Sequence, residues 1–395
     1  MYKEWKSPRI VLGSVATGNY YYGRQEIVDA IWNELDKGSF VLMAAPRRVG
    51  KTSIMKDLEK YPRENYKVIF KNIQSLKSEQ EFYKTVYGLI LSCLSQSQKI
   101  KNKFQKYIKS KSITDLDIKG SFKIENNKVE YLEEINAIIS DIDEDGETVV
   151  LLIDELPEVL HNLYKNNKKE EAVGILKNLR TWRQEEKFHK LKFVLAGSIG
   201  IHYVVNTIEG RSTDLNDLRK VNCNALTPEE ASHYIDWATK DSSVQYNQEL
   251  KDYLLAKIQY YIPYFLNIIF DEVDKKAQKN NSTAITTQDI DEAFSTAVKN
   301  NEHFEDWKRR LSDYLPAADY TFANRILTWI SHREKISIQK IYDFAKFHNK
   351  ENDYMDIIDE LEKDGYIIET KKSYSFISPF LKEFWKRKNP INREY

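Results

Sequence analysis

Ala45-Pro46-Arg47-Arg48-Val49-Gly50-Lys51-Thr52 fits the pattern of a phosphate-binding loop, and the residues on either side fit the surroundings such a loop requires. The apolar run from Ser39 to Ala44 reads as a buried strand, and Ser53 to Lys60 reads as the opening of a helix. Strand, loop and helix in that order give the pattern its meaning. In that geometry successive backbone N–H groups and the positive end of the helix dipole converge on a β-phosphate, while Lys51 supplies a mobile cation and Thr52 a hydroxyl for Mg²⁺. The stretch predicts an α/β P-loop fold that binds a nucleoside triphosphate.

Downstream, Val149-Val150-Leu151-Leu152-Ile153-Asp154-Glu155 reads as an apolar strand ending in two adjacent carboxylates. At the carboxyl edge of a parallel sheet these meet a ligand bound at the loop. Asp154 is then placed to hold Mg²⁺ through its water shell, and Glu155 to orient and polarise the attacking water, because phosphoryl transfer needs positioning and charge compensation. Taken alone, an Asp-Glu pair can equally cap the next helix; paired with the loop, it points to phosphoryl chemistry. A third strand, Phe193-Val194-Leu195-Ala196-Gly197-Ser198, ends in a small polar residue. If that strand lies between the loop strand and the Asp154 strand, Ser198 contacts the γ-phosphate or the water; otherwise it closes a plain Gly-Ser turn. Arg47, Arg48, Arg180, Arg183 and Arg211 are candidates to neutralise charge in the transition state, and nothing in the sequence selects among them.

A chain of 395 residues is too long for one core and predicts two or three domains. Sixty basic and sixty acidic residues cancel, so nucleic-acid binding would have to come from a local patch. Cys93 and Cys223, far apart and flanked by apolar residues, suit reduced core thiols. No apolar run approaches the roughly 18 residues that span a bilayer, and Met1-Tyr2-Lys3-Glu4-Trp5-Lys6 lacks the apolar stretch of a signal peptide, so a cytoplasmic protein without a membrane anchor is expected. The histidines show no metal-ligand spacing, and no metal beyond nucleotide-linked Mg²⁺ is implied.

Short β-branched runs alternating with longer amphipathic stretches predict a parallel sheet flanked by helices, with strands at Ser39 to Ala44, Lys67 to Lys71, Thr148 to Ile153, Lys190 to Ala196 and Arg219 to Asn222. Between the second and third strands come a helix from about Gln80 to Leu94, a lysine-rich run from Lys99 to Lys111, and a hairpin across Ile124 to Val129, read as an insertion that decorates the surface. Thr227 as cap and Pro228 in the first turn open a helical region that runs to about Asn300. Beyond it, Phe322 to His332, Ser337 to Phe347 and Asp353 to Lys363 read as three helices, followed by strands at Gly365 to Glu369 and Tyr374 to Ile377. Three helices and a two-stranded wing describe a winged helix. The expected division is an N-terminal extension over 1–20, a core over 21–225 with its insertion at about 95–135, a helical lid over 226–300 and a winged helix over 301–395.

These residues resemble the archaeal-type P-loop ATPases of the STAND class, relatives of the AAA+ proteins. Tyr22-Gly23-Arg24-Gln25-Glu26 is similar to an aromatic-Gly-Arg-x-Glu motif, Ala45 to Ser53 to the Pro-Arg-Arg form of the loop, Asp154-Glu155 to the acidic pair, Gly197-Ser198 to the sensor strand, and Ile262-Pro263-Tyr264-Phe265-Leu266 to the Pro-containing lid motif. The resemblance implies a three-layer core with strand order 5-1-4-3-2, an adenine pocket near Tyr22, Gly23 and Arg24, and Pro263 on a lid helix close to the nucleotide. It implies ATP and Mg²⁺ as cofactors, held by Ala45, Pro46, Arg47, Arg48, Val49, Gly50, Lys51, Thr52 and Ser53, with Asp154 on the metal and with Glu155, Lys51 and Ser198 in catalysis. Ala45 stands where the strict pattern has glycine, and Tyr261-Ile262 where the lid motif has Gly-x.

The helix that would enter a DNA groove, Asp353 to Lys363, is strongly acidic, and phosphate contacts supply most of the affinity for a duplex. Tyr354, Ile357, Ile358 and Leu361 recur on it at helical spacing and read as core. A protein partner or self-association is therefore favoured over duplex DNA, although Lys371, Lys372, Lys382, Lys386, Arg387 and Lys388 offer cations to a backbone. Two functions of different class remain, a slow ATPase used as a switch and a nucleic-acid-directed ATPase resembling replication initiators, with permanent nucleotide binding for structure as a third, non-enzymatic alternative.

Overall fold

Apolar, β-branched runs bounded by turn residues bury both faces when they lie side by side in a parallel sheet, and the computed structural model of the chain shows five that do. It describes residues 4–97, 101–124, 129–142, 146–197, 200–210 and 213–390. The chain divides into two compact units. One comprises Gly23–Ala44 and Lys51–Cys223; the other comprises the N-terminal residues through Tyr22, the loop Ala45–Gly50, and everything from Asn224 onward.

The first unit is built on strands β1 (Phe40–Ala44), β2 (Tyr66–Asn72), β3 (Thr148–Asp154), β4 (Leu191–Ala196) and β5 (Leu218–Asn222). All pairings are parallel, and the order across the sheet is β5-β1-β4-β3-β2. Each strand lies within a residue of its predicted bounds. Residues Val149 to Asp154 and the whole of β4 are buried, whereas the edge strands β2 and β5 keep exposed positions. The register pairs Asn72 with Asp154, Asp154 with Ala196, and Ala196 with Met43. Four strands therefore finish level at one carboxyl edge, where ligands of open α/β sheets bind.

The segment between β2 and β3 departs from the expectation of a surface decoration. Its helix Glu79–Ser95, capped by the Ser78 hydroxyl, which accepts from the Glu81 N–H, buries Phe82, Val86, Tyr87, Leu89, Ile90 and Leu94 against the sheet. Gly88 on this helix lies so close to Gly120 that a methyl on either would overlap the other's backbone. Of the lysine-rich run, Lys99 lies outside the described residues and Lys101–Ser110 forms a helix whose Phe104 is buried; Lys103 donates to the Asp141 carbonyl at 2.6 Å and Lys111 pairs with Glu134 at 2.6 Å. Lys123–Ile124 pairs antiparallel with Ile113–Thr114, and residues 125–128 of the expected hairpin lie outside the described residues.

In the second unit, helices Pro228–Thr239, Gln248–Ile258, Pro263–Lys279 and Thr287–Lys299 follow one another. The first opens on a capping box between Thr227 and Glu230, with Pro228 in its first turn. The N-terminal residues run along these helices: Arg9 N–H donates to the Ala238 carbonyl at 2.7 Å, and Trp5 Nε1 donates to Asp274 at 3.1 Å. Helices Glu305–Tyr314, Ala317–Arg333, Ile338–Phe347, Tyr354–Lys363 and Pro379–Lys388 come next, with an antiparallel sheet of β6 (Ile336–Ser337), β7 (Ile367–Thr370) and β8 (Ser373–Phe376) in the order β6-β8-β7.

The sheet thus has three strands where two were expected; β6 is two residues long, too short to announce itself by alternation. Lys371 and Lys372 both take positive φ, 48° and 63°, as a two-residue hairpin turn demands. The basic C-terminal stretch forms a helix in which Phe380, Leu381, Phe384 and Trp385 make one buried face and leave Lys386 and Arg387 outside.

Candidate nucleotide site

Within the sheet unit the site begins at the helix Lys51–Lys60, which starts directly after the loop that follows β1. Lys51 is only 7% exposed. Thr52, next on the helix, donates its Oγ1 hydrogen to Asp154 Oδ2 at 2.7 Å, which ties the loop end of the helix to the last residue of β3. Asp154 is 2% exposed, and burial pushes its carboxyl above the usual carboxylate range. The neighbouring Glu155 charge adds to that, and the Thr52 hydrogen bond and the Lys51 ammonium pull against it. A buried carboxylate with an unfavourable charge is set to receive a cation.

The fit to Mg²⁺ follows from the donor chemistry. A hydroxyl and a carboxylate oxygen in contact are hard oxygen ligands, and Mg²⁺ takes one or two of these from protein and the rest from water and phosphate. Among the described residues no cluster of three or more His, Cys, Asp or Glu offers a metal cage by itself. An ion here would share its coordination with a bound phosphate.

Glu155, the residue after β3, lies in the left-handed region, φ 65° and ψ 30°, and its N–H donates to the Ala196 carbonyl at 2.9 Å. That conformation costs a residue with a Cβ about 1–2 kcal/mol, and it breaks the strand's alternation after Asp154. Pro157 follows in the first turn of helix Leu156–Lys165 and lies against the end of β4: a methyl on Gly197 would stand 2.5 Å from Pro157 Cδ. Gly197 is therefore required for close packing beneath the acidic pair. Ser198, expected as the sensor, lies outside the described residues, as does Arg211.

Arg24 is buried at the start of helix Gln25–Asp36 and pairs with Glu26 at 2.9 Å. The candidate arginines of helix Lys169–Gln184 have other partners. Arg180 pairs with Asp214, and Arg183, with its side chain 1% exposed, pairs with Asp217 at 2.7 Å. These pairs hold the chain before β5 to this helix.

In the second unit, the loop residues Arg48 and Gly50 take positive φ, 63° and 106°. Gly50 reaches that conformation without penalty, whereas Arg48 does not. Arg47 and Arg48 pair with Asp306 at 3.1 and 3.7 Å, and the Arg48 guanidinium lies 3.9 Å from the Tyr264 ring centroid. Pro263 stands in the first turn of helix Pro263–Lys279, so Tyr264, the residue after it, comes onto the loop. Pro46 abuts Gly365, where a methyl would stand 2.7 Å from Pro46 Cβ. Tyr22 packs edge-on against Tyr234 and Trp237, centroids 5.2 and 5.4 Å away. Tyr264 lay within the quoted motif around Pro263 but without a stated contact, and Asp306 and Gly365 carried no signal of such a contact in the sequence. Each follows the loop by more than two hundred residues, and no local pattern marks such a partner.

A parallel sheet with a phosphate-loop helix beside an acidic strand end defines a P-loop NTPase-like fold. Residues 15–207 match the family model described as Predicted AAA-ATPase. The fold is similar to that of the Walker-type ATPase PABY2304 of Pyrococcus abyssi, at 15% identity over 95% of this chain and 99% of that one, with a TM-score of 0.59. It is also similar to the ORC2 protein of Aeropyrum pernix, at 11% identity over 93% and 94% of the two chains, with a TM-score of 0.50. No curated protein matches the chain.

Proposed function

We propose that the protein binds and hydrolyses ATP with Mg²⁺ and works as a nucleotide-controlled switch of the STAND type. The observation that carries this reading is the Thr52–Asp154 hydrogen bond, which brings together the two oxygen ligands the chemistry needs. Mg²⁺, when bound, would neutralise phosphate charge there. Lys51 neutralises the β- and γ-phosphates, backbone N–H groups of Ala45 to Ser53 hold the phosphate chain, and Glu155 orients the water and draws its proton. Tyr22, Gly23 and Arg24 contact the adenine, Pro263 approaches it from the lid, and Ser198 contacts the γ-phosphate. The core is 21–225, the lid 226–300 and the winged helix 301–395, and ATP changes how the last two pack, which a protein partner or a second copy reads. Cys93 and Cys223 are free, buried thiols, which suits a reducing, cytoplasmic location. Among the described residues no helix is long and apolar enough to cross a membrane.

Steady-state ATP turnover of wild type, Lys51→Ala and Glu155→Gln tests the hydrolysis claim. Turnover at least a hundredfold (~10²) above both variants is expected, and equal rates in all three would remove it.

A second reading, an ATPase directed by nucleic acid, is favoured by one observation. Lys340 lies 5.0 Å over both Trp329 and Phe344, with Arg333 over Trp329 and Arg325 over Phe344. This cluster of cations around the half-buried Trp329 suits the phosphates of a strand, whereas Phe344 is buried and offers no ring face to a base. Against it, Asp356 and Asp359 are exposed on helix Tyr354–Lys363 while Ile357, Ile358 and Leu361 are buried, so the face this helix presents repels phosphate. Stimulation of turnover by DNA, with binding that falls steeply as salt rises, would establish this reading over the simple switch.

A further inference from the structure

We propose that Asp306 is a positioning residue for the phosphate-binding loop, holding Pro46-Arg47-Arg48 from outside so that ATP meets a loop already in its binding conformation; this rests on the nucleotide reading above. Three consecutive loop residues are each held by a different element. Gly365, with φ 76°, leaves no space between its backbone and Pro46. Asp306, on helix Glu305–Tyr314, offers the same oxygen, Oδ2, to Arg47 at 3.1 Å and to Arg48 at 3.7 Å, while its Oδ1 takes Arg309 at 2.8 Å. Tyr264, on helix Pro263–Lys279, stacks under the Arg48 guanidinium, and its hydroxyl is 3.1 Å from His303 Nδ1.

The anchoring answers a strain in the loop. Arg48 sits at φ 63°, which an unanchored side-chain-bearing residue leaves readily, and Gly50, two residues on, has the widest conformational choice of any residue. A loop free to leave that conformation makes ATP supply the ordering free energy, which appears as weaker binding. The charges point the same way. Arg47 is surrounded by burial, Arg310 and Arg48, all of which disfavour its charge, and Asp306 opposes them. Phosphate and Asp306 are both anions, however, so electrostatics alone predicts the opposite effect: deleting Asp306 would leave extra positive charge near the loop and tighten ATP binding. Positioning and charge therefore disagree in sign, and the sign can be measured.

The test uses the full chain as wild type, Asp306→Ala, Asp306→Asn and Asp306→Glu. ATP affinity is measured by titration, KM and kcat by steady-state turnover, and amide exchange over 45–53. Circular dichroism confirms the fold, with Asp306→Asn as the working variant if Asp306→Ala does not fold. The expected result is a rise of about tenfold in Kd and KM for the Ala and Asn variants, kcat within about twofold, faster exchange in the loop, and recovery in Asp306→Glu. Unchanged or tighter ATP binding in folded Asp306→Ala or Asp306→Asn protein overturns the proposal. Wild type that binds no ATP overturns the nucleotide reading on which it stands.

Discussion

Replacing Asp154 by Asn should stabilise the protein while abolishing its turnover. Asp154 is 2% exposed, and burial is the largest influence on its carboxyl, raising its proton affinity. Desolvating such a charge costs several kcal/mol, part of which Lys51 and the Thr52 hydrogen bond return. An amide oxygen still accepts from Thr52, so that bond falls from the ~1.5–3 kcal/mol of a charge-assisted contact to ~1 kcal/mol. With desolvation the larger quantity, Asp154→Asn should gain roughly 1 kcal/mol, a rise of about 2–4 °C in Tm for a unit of this size. Scanning calorimetry without nucleotide reads it directly.

The pH dependence has a definite sign. A raised carboxyl means that the folded state pays for ionisation, a penalty present in full above the folded pKa and lost as pH falls to the unfolded value. The gain of the variant over wild type should therefore be largest at neutral pH and vanish in acid. Turnover should fall at least a hundredfold (~10²), and added Mg²⁺ should no longer improve ATP's protection against heat. A variant that melts below wild type at neutral pH, or that retains turnover, would refute the reasoning.

Two further outcomes follow from packing and burial. Gly197→Ala forces a methyl to within 2.5 Å of Pro157 Cδ, and urea unfolding should show a loss of about 1–3 kcal/mol from overpacking; an unchanged midpoint would mean that Pro157 yields without cost. Burial pushes the Cys223 thiol up to about 11 and raises that of Cys93 as well. Neither thiol should react with a thiol reagent at about pH 8 until the chain unfolds. Because unfolded thiols ionise near pH 8.5, stability should fall as pH rises from there toward about 11. Rapid labelling of native protein at pH 8 would contradict this.

The sheet was legible because its strands are short apolar runs whose ends carry diagnostic chemistry: the loop after Ala44, the carboxylates after Ile153, the glycine after Ala196. Thr227 and Pro228 announced a helix start in the same local way. Arg180 and Arg183 looked as suitable for phosphate as Arg47 and Arg48, since a side chain's employment depends on what folding brings to it; here that is Asp214 and Asp217. Asp306 and Gly365 were invisible as partners of the loop for the same reason. The helix Pro379–Lys388 carries lysines and an arginine between Phe380, Leu381, Phe384 and Trp385, whose spacing marks a buried face that its charge masks.

Gly88 and Gly120 give the long segment between β2 and β3 a fixed point, because their backbones meet with no side chain between them. Contact of this kind is indifferent to side-chain chemistry around it but intolerant of any shift along the chain. Phe122, whose ring packs on Tyr87 and Tyr131, and Asp117, which accepts from the N–H groups of Lys119 and Ser121, keep Gly120 in that register. A deletion that removes Gly120 would open a notch on the helix Glu79–Ser95 that no other residue type can refill without prising the segment away.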